Sequence, residues 1–264
     1  MKLGISSYTY TWALETHGLG VQWLVDRAVK LGVYVLQIAD NLPLKNLSDS
    51  EIISLAKSAD DLGIIIEVGT RGILDNNLLT YLGIAERLKS PIVRVVVDTP
   101  EHHPDMDEII EIIKPQMTEF ERAKISLAIE NHDRFTTKSL KQIIQRLDNE
   151  YAGICLDCAN SFGAMDGPEV VFDELAPLAV NLHVKGFRIY RADHNMGFMI
   201  EGTSIEKSML DMSWMLGKMN QFGRDVNVIL EQWTPFGGDI DATIKKEESW
   251  AKASIEYMRG YIGK

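Results

Sequence analysis

The stretch SLAIENHDRFTTKSLKQIIQRLDNEYAGICLDCAN, residues 126–160, decides the fold class. It opens with a short apolar run that ends at His132, continues with an amphipathic segment of helical periodicity, and closes with a second apolar run that ends at Asn160. Thr136 and Thr137 are possible caps of the helix. Near-continuous apolar runs of this length are typical of parallel strands that are buried on both faces. The stretch therefore predicts a strand–helix–strand unit.

The same alternation runs through the whole chain. Eight apolar runs are strand candidates: residues 2–10, 33–40, 63–70, 92–99, 126–132, 153–160, 179–186 and 226–233. Amphipathic segments separate them, and a segment with a proline in mid-run, Pro115, is expected to kink or break. Strand and helix repeat with no Pro/Gly/Ser-rich linker, which predicts a single (β/α)8 TIM barrel over residues 1–264. An open doubly wound sheet is the alternative, but it would want a glycine-rich turn after the first strand, where SSYTYTW stands.

Composition excludes several classes of protein. The chain has 38 acidic and 27 basic residues and a net charge of −11, which disfavours nucleic acid as a partner. No window approaches the ~20 apolar residues of a membrane helix, and the first residues lack the apolar core of a signal peptide. Two cysteines in 264 residues argue against a disulfide scaffold. We therefore expect a cytoplasmic protein without a membrane partner.

Four polar residues stand near the ends of consecutive strand candidates: Glu130, Asp157, His183 and Glu231. A carboxylate in a buried strand is unfavourable unless it is paired or bound to a cation, and one such residue alone is commonly a structural ion pair. On four successive barrel strands, however, the side chains can converge at one mouth. Three carboxylates and one imidazole form an oxygen-rich site that suits Mn²⁺, Mg²⁺ or Co²⁺, with Zn²⁺ also possible. The pattern predicts one divalent ion.

The pieces AIENH, LDCAN, LHVKGF and ILEQW that carry these residues together resemble the xylose isomerase-like barrel superfamily, and more narrowly its sugar-phosphate isomerase/epimerase branch. The resemblance covers nearly the whole chain. It implies a divalent-metal-dependent isomerase or epimerase of a small ketose or sugar phosphate, with Glu130 and Glu231 as metal-bound acid and base. Asp157 and His183 would be mainly ligands. The reaction would pass through an enediolate whose oxyanion the cation stabilises. A homodimer or homotetramer is also implied.

Other functions remain open. The better-known ketose epimerases have a histidine where this chain has Asn160, and their loop after the metal histidine differs from KGFRIYRADHNMGF. Lyases of the superfamily, which dehydrate or decarboxylate a sugar-derived keto acid, use the same metal frame; Lys185 and Arg188 would then hold the substrate carboxylate. A phosphodiesterase of the endonuclease IV type needs more histidine and a basic groove. A non-catalytic carbohydrate-binding barrel is a further alternative.

Five residues are predicted to bind the substrate: His132, Asn160, Lys185, Arg188 and His194. Lys185 lies two residues after His183, and His132 two after Glu130, so each can share the face of its ligand. Arg188 and His194 belong to residues 187–208, a long connection that we expect to be a functional loop over the barrel mouth. The structural alternatives are a rim salt bridge for Lys185, a simple hydrogen-bonding role for His132 and solvation for the two loop residues.

The two cysteines form a C-x-x-C motif around Asp157. Because side chains alternate along a strand, Cys155 shares a face with Asp157 while Cys158 points the other way. A shared zinc site or a strain-free disulfide is therefore excluded, and we interpret both thiols as small residues of the barrel wall. Glu67 and Arg94 also lie in strand candidates, and we expect them to support the site or to pair with each other.

Overall fold

Eight parallel strands close into a barrel in the computed structural model, which describes residues 1–262. The barrel strands are β1 Leu3–Ser6, β2 Val35–Ile38, β3 Ile65–Arg71, β4 Ile92–Val96, β5 Ser126–Glu130, β6 Ala152–Asp157, β7 Ala179–Val184 and β10 Val228–Leu230. Each strand is hydrogen-bonded to its neighbours in the order β1-β10-β7-β6-β5-β4-β3-β2. The predicted (β/α)8 barrel is confirmed, and each of the eight strand candidates overlaps one barrel strand; β3 ends one residue after its candidate and β6 begins one residue before its own.

Helices connect the strands and cover the outside of the barrel. They are α1 Thr11–His17, α2 Val21–Leu31, α3 Asp49–Leu62, α4 Asn77–Leu88, α5 Met106–Ile113, α6 Met117–Ala123, α7 Thr137–Leu147, α8 Pro168–Leu175, α9 Met212–Gln221 and α10 Ile240–Met258. Thr136 caps α7 by accepting a hydrogen bond from the backbone N–H of Ser139. The break expected at Pro115 is confirmed, because a 3₁₀ turn over Lys114–Gln116 separates α5 from α6. Among residues 1–262, no helix has both the length and the apolar character needed to cross a bilayer.

The barrel interior is polar toward its C-terminal end. Leu127 and Ile129 of β5 belong to the large apolar core, whereas Glu130, one residue on, takes part in polar contacts inside the barrel. The register places Glu130 beside Cys155 and Asp157 beside His183. Branched apolar side chains usually fill such a barrel. Near the mouth of this barrel, amide and charged side chains take the place of those apolar side chains. The candidate site lies among these polar groups.

The long connection over residues 187–208 contains a β-hairpin, formed by residues 187–202, which was not predicted from the sequence. Strands β8 (Phe187–Arg191) and β9 (Phe198–Gly202) pair with each other in antiparallel register and with no barrel strand. The runs FRIYR and FMIEG are rich in the aromatic and β-branched residues that favour strands. Asn195 and Gly197 adopt positive φ angles of 60° and 85°, and these angles turn the chain between the two strands.

The carboxyl group of Glu247 gives a first test of the fold. This buried side chain of α10 accepts hydrogen bonds from the backbone N–H groups of Trp12 and Ala13, each at 3.0 Å, and so holds the first turn of α1. Burial raises the pKa of Glu247 from 4.5 to about 7. Because the folded state keeps this proton to higher pH than the unfolded chain does, the Glu247 contribution to stability falls as pH rises from 4.5 to about 7.

Thermal midpoints of wild type and Glu247→Gln should therefore converge or cross as pH rises. We expect the wild type to lose on the order of 2 kcal/mol relative to the variant between about pH 5 and about pH 8. Glu256→Gln, on an exposed position of the same helix, is the matched control and should follow the wild-type profile. Parallel pH profiles for wild type and Glu247→Gln would contradict the assignment.

Candidate metal centre and active-site cavity

The four predicted ligands meet at the C-terminal mouth of the barrel. His183 Nδ1 lies 2.5 Å from Glu231 Oε2, 3.7 Å from Glu130 Oε2 and 3.7 Å from Asp157 Oδ2. One donor atom from each of the four residues lies within 4.8 Å of every other. Glu231 follows β10 directly, and the other three side chains come from β5, β6 and β7. Their convergence follows from the closed barrel, which brings four strand ends to one point.

The chemistry of this cluster fits a divalent cation. Asp157 Oδ2, His183 Nδ1 and Glu231 Oε2 are buried and make no hydrogen bond of good geometry among the described residues, although Nδ1 lies 2.5 Å from Glu231 Oε2 and Lys185 Nζ lies 3.0 Å from Asp157 Oδ2. A cation between these atoms would satisfy them. Burial opposes a charged imidazole, but the potential of Cys155, Glu231 and Glu130 outweighs burial and raises the pKa of His183 well above its usual value. A cluster that holds a proton this strongly can hold a metal ion at the same place. Glu130, Asp157, His183 and Glu231 could therefore bind one divalent ion.

An amide network beneath the cluster fixes the imidazole. His183 Nε2 lies 2.7 Å from Gln37 Oε1, and the amide nitrogen of Gln37 donates to Glu67 at 3.1 Å and to Asn181 at 3.2 Å. Because that nitrogen is already occupied, the Gln37 oxygen must face the imidazole, which directs Nδ1 toward the carboxylates. Sequence reasoning did not find Gln37 and Asn181. Their signal was a polar residue at an inward position of β2 and of β7.

Arg94 links the cluster to a second carboxylate. Its fully buried guanidinium donates from Nε to Glu130 Oε2, and from Nη1 to Asp40 Oδ1 at 2.7 Å. Arg71 Nε donates to the other Asp40 oxygen at 2.8 Å. Burial raises the pKa of Asp40, but the two guanidinium groups outweigh this effect and lower it to about 2. Arg94 therefore does not pair with Glu67, the expected alternative; Glu67 instead accepts hydrogen bonds from Gln37, Asn181 and Asn227.

Lys185 brings an ammonium group into the cluster. Its Nζ lies 3.0 Å from Asp157 Oδ2, 3.9 Å from Glu231 Oε1 and 2.9 Å from Asn160 Oδ1. Asn160 in turn donates from Nδ2 to Glu130 Oε1 at 2.8 Å. Burial raises the pKa of Glu231, but the nearby charges of Lys185 and His183 outweigh burial and lower it to about 2. Asn160 therefore connects Lys185 with Glu130, and both carboxylate oxygens of Glu130 are engaged.

A cavity of about 500 Å³ opens above the cluster. Its wall includes Tyr8, Trp12, Arg71, Arg94, Glu130, His132, Lys185, Ile200, Glu201, Gly202, Glu231 and Trp233. Of the predicted substrate-binding residues, His132 and Lys185 line this cavity. Arg188 does not, but it forms an ion pair with Glu201 at 2.5 Å. His194 lies in the turn of the hairpin, where its Nδ1 accepts a hydrogen bond from the N–H of Met196. Tyr8 and Arg71 are wall residues that sequence reasoning did not assign to substrate binding.

Both cysteines are free thiols and are buried, as predicted. Cys158 faces the apolar core outside the barrel, and its sulfur accepts a hydrogen bond from the backbone N–H of Lys185 at 3.1 Å. Cys155 faces the interior, where its thiol donates to Asn181 Oδ1 at 3.4 Å. Cys155, in β6, and Cys158, which follows β6 directly, thus point to opposite sides of the barrel wall.

A closed (β/α)8 barrel with an oxygen-rich cluster under a polar cavity defines a TIM barrel of enzyme type with a candidate metal centre. The chain belongs to the xylose isomerase-like TIM barrel family, whose sequence profile matches residues 25–261. A curated relative, 3-oxo-isoapionate decarboxylase from Pectobacterium atrosepticum, is 30% identical over 261 residues, which are 98% of this chain and 95% of the relative. The resemblance inferred from the strand-end motifs is confirmed.

Solved structures agree on the fold. A xylose isomerase-like TIM barrel protein from Mycobacterium smegmatis, solved in complex with magnesium, superposes with a TM-score of 0.68 at 15% identity and 97% coverage of both chains. The IolI protein, solved with a bound zinc atom, superposes with a TM-score of 0.71 at 14% identity and full coverage of both chains. At this level of identity the two comparisons establish the architecture.

Replacing Asp157 tests the metal centre directly. Asp157→Asn removes one carboxylate charge from the cluster and should weaken Mn²⁺ binding, measured by calorimetric titration of chelator-treated protein, by at least about tenfold. Cys158→Ser alters the same strand on its opposite face and is the matched control, with affinity expected within about twofold of wild type. Equal Mn²⁺ affinity for wild type and Asp157→Asn would show that Asp157 is not a ligand.

The base of the hairpin gives another test. A Cβ atom on Gly202 would lie 2.0 Å from the backbone oxygen of Trp233, whereas one on Gly217, inside α9, would contact nothing. Gly202→Ala should therefore displace the hairpin from the cavity wall and lower the thermal midpoint, whereas Gly217→Ala should leave it unchanged or raise it slightly. Quenching of Trp233 fluorescence by iodide should increase only in the Gly202 variant. Equal quenching in both variants would contradict this anchoring.

Proposed function

We propose that this protein is a divalent-metal-dependent lyase that decarboxylates a sugar-derived β-keto acid. The observation that carries the proposal is the state of Glu130: Arg94 donates to one of its oxygens and Asn160 to the other. Epimerisation needs two proton-transfer groups, one on each face of the reacting carbon. With both oxygens of Glu130 engaged, Glu231 is the carboxylate of the cluster better placed to exchange a proton in the cavity.

The charges around the cavity support an anionic substrate. Four carboxylates, from Asp40, Glu130, Asp157 and Glu231, are in one ion-pair network with three cations, from Arg71, Arg94 and Lys185. Glu201 of the cavity wall is paired with Arg188 and does not change this balance. This set has one negative charge in excess, which the His183 proton balances. A divalent ion in place of that proton would leave one positive charge in excess, and a single substrate carboxylate would neutralise it. A neutral ketose would leave it unbalanced.

The sequence relative supports the same reaction class. Its name denotes the loss of CO₂ from a 3-oxo acid, and the similarity extends over 98% of this chain. The cavity wall is also suited to such a substrate, since Lys185 and Arg71 offer cationic groups to a carboxylate. A 3-oxo acid derived from a branched or straight-chain sugar is therefore the substrate class that we propose.

Each residue then has a distinct task. Glu130, Asp157, His183 and Glu231 would hold the ion, which when bound stabilises negative charge that develops on a substrate oxygen. Burial lowers the pKa of Lys185, but the nearby carboxylates of Asp157, Glu231 and Glu130 outweigh burial and raise it. The ammonium group therefore stays charged, and it would hold the substrate. The bond to the carboxylate carbon breaks, its electron pair moves toward the ketone oxygen, CO₂ leaves, and a proton from solvent returns to the carbon. Glu231 would pass that proton.

Isomerisation or epimerisation of a ketose or sugar phosphate is the second candidate. It is favoured by the fact that Glu130 and Glu231 both line the cavity, from places in the barrel that β6 and β7 separate. In that reaction Asn160 or Arg94 would have to release one oxygen of Glu130. Mn²⁺, Mg²⁺ or Co²⁺ is the expected ion in either case, because the donor set is rich in oxygen.

Incubation with Mn²⁺ in D₂O distinguishes the two reactions. With 3-oxo-isoapionate or another β-keto acid, we expect CO₂ in a one-to-one ratio to substrate consumed and one deuterium at the new C–H bond, seen by NMR. Glu231→Gln should lower turnover by at least about 100-fold, since it removes the proton-transfer group. Glu256→Gln, on the exposed face of α10, is the control and should keep full activity. Deuterium exchange into ketoses or sugar phosphates without release of CO₂ would support the second candidate instead.

A further inference from the structure

We propose that Cys155, Glu130 and His183 form a second, deeper metal position in the barrel, which takes soft divalent cations such as Cd²⁺ and Zn²⁺. It overlaps with the hard-ion position because it shares Glu130 and His183 with it. The choice of ion at this position does not depend on which reaction the cavity catalyses.

The donors of this position lie together in the structure. One donor atom each from Glu130, Cys155 and His183 lies within 4.8 Å of the others, and all three residues are buried. Glu130 and Cys155 are register partners on β5 and β6, so their side chains leave neighbouring strands side by side. His183 Nδ1 is buried and makes no hydrogen bond of good geometry among residues 1–262; it lies 2.5 Å from Glu231 Oε2 and 3.7 Å from Glu130 Oε2. This imidazole nitrogen and the Glu130 carboxylate give Cys155 two further buried donors, so that a metal position and not a lone thiol is present.

The depth of Cys155 separates the two positions. Cys155 precedes Asp157 by two residues on the same face of β6, and so lies one layer farther from the mouth. Ile92, Ala128 and Val180 pack against Cys155, and Asn181 Oδ1 accepts a hydrogen bond from its thiol at 3.4 Å, so the sulfur lies at the level of the amide network beneath the cluster. An ion that is drawn to the sulfur therefore moves away from Asp157, which lies one layer nearer the mouth, and from Glu231, which lines the cavity.

The chemistry of the donors selects the ion. Carboxylates suit Mn²⁺ and Mg²⁺, whereas a thiolate and an imidazole favour Zn²⁺ and Cd²⁺. On ligation the S–H bond of Cys155 is replaced by a sulfur–metal bond, and one proton is released to solvent. Because Glu130 and His183 serve both positions, one ion excludes the other. A soft ion would thus displace Mn²⁺ and leave Asp157 and Glu231 without their ion.

Optical titration of the full-length protein with Cd²⁺ and Co²⁺ tests the proposal. A thiolate ligand gives a ligand-to-metal charge-transfer band in the ultraviolet, and carboxylates and imidazole do not. After chelator treatment, wild type and Cys158→Ser should show this band, saturating at one ion per chain, and Cys155→Ser should show none. The two variants are matched because they replace the only two cysteines, both of which are buried.

Affinities separate the two positions further. Loss of an outer partner alone costs about 10- to 100-fold in metal affinity, so loss of the sulfur in Cys155→Ser should weaken Cd²⁺ binding by at least about tenfold. Mn²⁺ affinity should stay within about twofold of wild type, since hard ions do not use the sulfur. Asp157→Asn should do the reverse: it should weaken Mn²⁺ binding and retain the Cd²⁺ band.

Two results would overturn the proposal. One is a charge-transfer band that persists in Cys155→Ser; the other is the absence of any band in wild type at saturating Cd²⁺. Should Cys155→Ser fail to fold, X-ray absorption of Zn²⁺-loaded wild type provides the test without a variant. One sulfur at about 2.3 Å from zinc would support the deeper position, and a shell of oxygen and nitrogen alone would refute it.

Discussion

The ion pair between the buried guanidinium of Arg94 and the carboxylate of Glu130 is the contact on which the rest of the site depends. An unpaired charge at this depth would be strongly destabilising, so Arg94 can stay inside the barrel only while Glu130 and Asp40 accompany it. In return it engages one oxygen of Glu130, and Asn160 engages the other. Glu130, with both oxygens engaged, therefore differs chemically from Glu231. This difference favours the proposed decarboxylation over a mechanism in which both glutamates act as bases.

The fold and the convergence of Glu130, Asp157, His183 and Glu231 were predictable from the sequence because both follow from local patterns. Buried parallel strands appear as apolar runs, and Asp157 and His183 were visible as polar residues that interrupt such runs. The hairpin was not predicted, because the length of residues 187–208 indicates a long connection whether or not its strands pair. Its signal was the pair of runs FRIYR and FMIEG, rich in aromatic and β-branched residues, on either side of the turn residues Asn195 and Gly197.

The partners of the buried charges were beyond sequence reasoning for a different reason. Gln37 and His183 are 146 positions apart in the chain, and Glu67 and Asn227 are 160 apart. Spacing along a sequence predicts which face a residue occupies, but contacts across a barrel depend on strand tilt and side-chain length. Arg94 illustrates this, because Glu67 and Glu130 were both possible partners by pattern, and the geometry of β4 and β5 favours Glu130.

The hairpin contributes to the cavity wall, and so to substrate access, but not to the candidate metal centre. Its two strands pair only with each other, yet Ile200, Glu201 and Gly202 complete one wall of the cavity. No ligand of the candidate metal centre belongs to it. Changes of length or composition in this insert can therefore alter which molecules reach the cluster while the barrel and its donors stay the same. In evolutionary terms, the hairpin is the part of the chain where a new substrate could be acquired at the least risk to folding.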